Sequence, residues 1–202
     1  MADPDIFAAS PDGAWRFEAG QLRGGSRVVD LPTIDFFDRW TFARFCPGGQ
    51  LILGFESGQP WSDYGSYGDR YGGLQVFAPT ADPSRWHTVA IEYDYRSHDE
   101  DFVPVDAIWH PRGVLAWLRD GCLCGQVISS PRPPIDDLSW NPRDSDRGLQ
   151  LSFERWGAWR RLELDGEGHL LTAHDPDGRD RFDLVHRRTA RDDADWSELS
   201  VY

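Results

Sequence analysis

The chain has 202 residues and a net charge of −13, with 40% hydrophobic residues, 20 glycines and ten tryptophans, enough to bury one full core. All 21 basic residues are arginine, which removes Schiff-base chemistry and any lysine general base. A surface this acidic repels nucleic-acid phosphates and anionic headgroups, so the sequence predicts no nucleic-acid partner and no membrane partner.

Met1-Ala-Asp-Pro-Asp5 has no basic region leading into an apolar run, and no stretch approaches 18 apolar residues. Neither a signal peptide nor a spanning helix is predicted, and the expected location is cytoplasmic. Cys46, Cys122 and Cys124 lack zinc-site spacing, although Cys122-Leu-Cys124 places two thiols on one face of a strand. Reduced thiols are expected, with no metal and no cofactor.

In chain order, residues 1–12 are polar and turn-rich and read as a loose N-terminal segment. Residues 13–202 read as one β-rich domain. The alternation begins at Trp15-Arg-Phe17. Residues 31–38 allow a short helix capped by Thr33, with Ile34 and Phe37 on one face. Two apolar runs, 40–45 and 51–55, flank Cys46-Pro-Gly-Gly49, a hairpin pattern. Residues 57–73 read as a long loop carrying Trp61, Tyr64, Tyr67 and Tyr71 among Gly, Ser and Asp. Short and long strands follow at 74–78 and 86–96.

Runs at 103–109, 114–118 and 122–128, joined by His110-Pro-Arg-Gly113 and Asp120-Gly121, predict a three-strand meander. A helix over 111–120 is the rival. Four prolines make 129–148 an irregular loop, and four strand candidates follow at 149–155, 158–164, 168–174 and 180–187. Segments 159–168 and 172–178 share a rhythm too short to establish a repeat. In total the pattern is mainly β: an antiparallel meander closing as a lipocalin-like barrel, or a strongly curved sheet or sandwich, with at most one or two short helices.

Candidate chemistry follows from alternation. In 86–96, His87, Val89, Ile91 and Tyr93 form the face expected to look inward, leaving Glu92 and Asp94 on a solvated outer ladder. With the register reversed, those two carboxylates share an interior as an acid/base pair. Trp40 and Arg44 share a face of their strand, and an arginine there requires a carboxylate or a ligand anion. His186 lies on an apolar face with Phe182 and Leu184.

Three function classes follow. The first is a small-molecule-binding barrel for an apolar or aromatic ligand, in its sharper form a cofactor-independent cyclase, isomerase or hydratase. Tyr93, His87 and His186 would then exchange protons and Arg44 would orient an anion. Trp40, Trp61, Tyr64, Tyr67 and Tyr71 would bind the ligand. The second is an acidic inhibitor or immunity-type protein masking a basic protein partner. The third is a carbohydrate-binding sandwich, suggested by the tryptophans.

Overall fold

The computed structural model describes residues 6–34, 37–58, 70–82, 84–94, 101–110, 114–127, 151–156, 159–164, 171–174 and 181–183. The chain divides into two compact units, Met1–Val103 with Arg132–Pro142, and Pro104–Pro131 with Arg143–Tyr202. The described residues are all-β: they contain no helix, and every strand pairing is antiparallel.

In the first unit, β1 (Phe7–Ala9), β2 (Arg16–Glu18), β3 (Gln21–Gly24) and β4 (Arg27–Val29) form one sheet in sequence order. A second sheet, also in sequence order, contains β5 (Phe37–Phe45), β6 (Leu51–Gly58), β7 (Arg70–Pro79) and β8 (Trp86–Asp94). β1 lies inside the stretch expected to be loose, because Ala8 is an apolar anchor that is 8% exposed. Residues 31–34 are irregular and Phe37 opens β5, so no helix forms at the described positions of 31–38.

The two sheets pack face to face. Ala8, Phe17, Leu22 and Val29 from the first meet Trp40, Phe45, Leu51, Leu53, Phe55, Phe77 and Trp86 from the second in one core. Trp40 is its hub, edge-on to Phe17 at 6.4 Å and to Phe77 at 6.1 Å, the arrangement aromatic quadrupoles prefer. The outer face of the first sheet carries instead Arg16, Glu18, Gln21 and Arg23, with Glu18 Oε1 3.2 Å from Arg16 Nε.

In the second unit, β9 (Asp106–His110), β10 (Val114–Arg119), β11 (Cys122–Val127) and β12 (Leu151–Trp156) form a third sequential meander. β13 (Arg161–Leu164), β14 (Leu171–His174) and β15 (Arg181–Asp183) form a fourth. Asp106 ties these two sheets together, since its Oδ2 accepts the Leu162 backbone N–H at 2.7 Å.

The Asp120-Gly121 turn has φ of 51° and 71°, the doubly positive geometry of a tight hairpin. The meander therefore displaces the rival helix over 111–120. Among the described residues no sheet closes on itself, so the lipocalin-like barrel closure expected from the meander is not observed. Within the first unit the two sheets bury apolar faces against each other.

The two sheets of the first unit share a turn. Ser10-Pro-Asp-Gly13 and Cys46-Pro-Gly-Gly49 each join the first two strands of their sheet. In both, the glycine N–H donates to the first residue's carbonyl at 2.9 Å, and both glycines have positive φ, 69° and 83°.

The turn aspartates are set by local chemistry. Asp12 lies below the ordinary carboxylate pKa because the Ser10 hydroxyl donates to it at 2.6 Å, aided by the Ala14 N–H. Asp82 is lowered first by Ser84 in the same way. A carboxyl with a depressed folded pKa stabilises the fold above its unfolded value, and that help is lost as pH falls through the folded one. An NMR titration of Ser10→Ala should therefore move the Asp12 midpoint upward and leave Asp82 unchanged.

Candidate functional site

The middle strands of the second sheet are buried on both faces: every residue of β6 from Leu51 to Ser57 and of β7 from Gly72 to Phe77 is buried. A strand covered on both sides reads as a continuous apolar run rather than an alternation. In Leu51-Ile-Leu-Gly-Phe-Glu-Ser-Gly58 the odd member is Glu56, which is 2% exposed.

A buried carboxylate requires partners, and Glu56 has two. Oε2 accepts Arg39 Nε at 2.7 Å, and Oε1 accepts the Phe102 backbone N–H at 2.9 Å. Arg39 stands directly opposite Glu56 on β5 and reaches Asp101 Oδ1 at 3.3 Å through its second amino group. The hydrogen bond to Glu56 raises the Arg39 pKa above its already high ordinary value, with the charges of Glu56 and Asp101 adding to it and burial opposing. Both carboxylate oxygens are thus occupied by N–H donors. The cluster is a clasp that fastens 101–102 to the sheet. Sequence inspection missed it, although a lone glutamate in an unalternating apolar run was the available signal.

A second polar group crosses the core side. Gln75, 0% exposed, donates through Nε2 to the Pro32 carbonyl at 3.0 Å and to Thr88 Oγ1 at 2.8 Å. It anchors the connection between the first two sheets and leaves its own Oε1 without a partner among the described residues.

Of the sequence-predicted site residues, the side chains of Trp40, Arg44 and His87 are described. β8 carries a bulge: Val76 pairs with Ala90 and Phe77 with Thr88, so Val89 is an extra residue. The bulge reverses the alternation assumed for 86–96. Thr88 and Ile91 share the core side, opposite Phe77 and Gln75, whereas His87 lies with Ala90 and Glu92, opposite Ala78, Val76 and Leu74. Glu92 is half-buried beside Leu74, which is 1% exposed, so its face is not the solvated ladder expected.

Arg44 shares that face with His87, but on the opposite edge strand. Three strand spacings, about 14 Å between backbones, separate β5 from β8. The His87 Nδ1 is buried with no hydrogen-bond partner among the described residues. Trp40 lies on the core side, 4% exposed, as a packing residue. Tyr93 pairs with Gly73 and Tyr71 with Ser57 in the backbone register. β6 and β7 extend to Gly58 and Arg70, so 57–58 and 70–73 of the expected loop are strand, and 59–69 lie outside the described residues. Trp61, Tyr64, Tyr67 and His186 lie outside the described residues.

Of the tryptophans whose side chains are described, Trp40, Trp86, Trp109, Trp117 and Trp159 are at most 8% exposed, and Trp15 is half-buried. They fill cores and present no flat ring to a sugar. No protein-family model, curated protein or solved structure matches the chain.

Proposed function

We propose that the chain is a non-catalytic acidic binding protein of inhibitor or immunity type, acting in the cytoplasm by covering a basic protein partner. The observation that carries this proposal is a net charge of −13 on a fold whose described interior is packed with side chains. Charge of one sign raises encounter rates with a basic surface and makes binding strongly salt-dependent.

The competing proposal, a small-molecule site with cyclase, isomerase or hydratase chemistry, requires Arg44, Tyr93, His87 and His186 around one cavity. The placement of Arg44 and His87 on opposite edge strands of the sheet weighs against it. The aromatic loop is its main support. The tagged chain, incubated with lysate of its native cell at low salt, should retain one basic protein in near-stoichiometric amount and release it at several hundred millimolar salt. Retention of no basic protein, or retention insensitive to salt, overturns the proposal.

A further inference from the structure

We draw no further inference here: the strongest candidate, the outer face of the first sheet, where Arg16 stands directly opposite Arg23 and is flanked by the exposed Phe7 and Val28, carries nothing, because both guanidinium groups already have the Glu18 carboxylate as counter-ion and nothing in the structure shows what covers the face.

Discussion

Arg39→Ala lowers stability by about 3 kcal/mol, seen as an earlier urea midpoint in tryptophan fluorescence. The loss arises from the stranded partner: Glu56 remains 2% exposed with only the Phe102 N–H to compensate its charge. Breaking a buried ion pair from one side costs about 3–5 kcal/mol. The low end applies because the Arg39 side chain is 35% exposed and water can partly replace it. Replacing both partners is a different case, since an apolar pair of similar volume is often neutral or better. The double variant Arg39→Leu/Glu56→Leu should therefore recover part of the loss, less what the Phe102 N–H costs without its Glu56 acceptor. A double variant no more stable than Arg39→Ala would place the cost in the packing of the arginine stem instead.

This clasp also marks the boundary between what was legible in the sequence and what was not. Hairpins were legible because their cause is local. Gly49 and Gly121 adopt positive φ of 83° and 71°, a region that costs glycine nothing, and Cys46-Pro-Gly-Gly49 and Asp120-Gly121 stand where those turns form. The strand-rich, nearly helix-free pattern followed from the same punctuation. The pairing of Arg39 with Glu56 spans 17 positions, and that of Glu56 with Phe102 spans 46. No local pattern encodes either.

The bulge at Val89 illustrates a second limit. Alternation predicts faces only while the period stays at two, and one inserted residue exchanges every side chain beyond it. His87 and Ile91 were placed together on that assumption, and the extra residue separates them. Closure into a barrel is not encoded locally either. A meander specifies which strands are neighbours, but whether its edges meet depends on how far the chain runs before turning onto a new layer. The tryptophans were ambiguous in the sequence because a ring that fills a core and a ring that binds a ligand have the same composition, and only burial distinguishes them.

Gly73→Ala carries the second large effect, a loss of about 3 kcal/mol and a correspondingly earlier urea midpoint. A glycine inside a strand ordinarily weakens it, so alanine would be expected to help. At this position the expected gain is reversed. β7 runs between β6 and β8, with Gly73 opposite Phe55 on one side and Tyr93 on the other. A Cβ built there falls on the Glu92 carbonyl oxygen, 3.1 Å from the carbonyl carbon and 2.7 Å from Phe55 Cζ. The carbonyl is backbone in the adjacent strand and Phe55 is 0% exposed in the core, so neither can yield without moving the ladder. Overpacking of this kind costs about 1–3 kcal/mol, occasionally more, and a backbone obstacle puts Gly73 at the upper end. Gly58 is the matched control, at the exposed end of the neighbouring strand with open space where a Cβ would go. Gly58→Ala should change stability by no more than about 0.5 kcal/mol. Equal effects at the two glycines would mean that β7 and β8 can separate at Gly73 at little cost, and that the close approach there is not what holds the sheet in register.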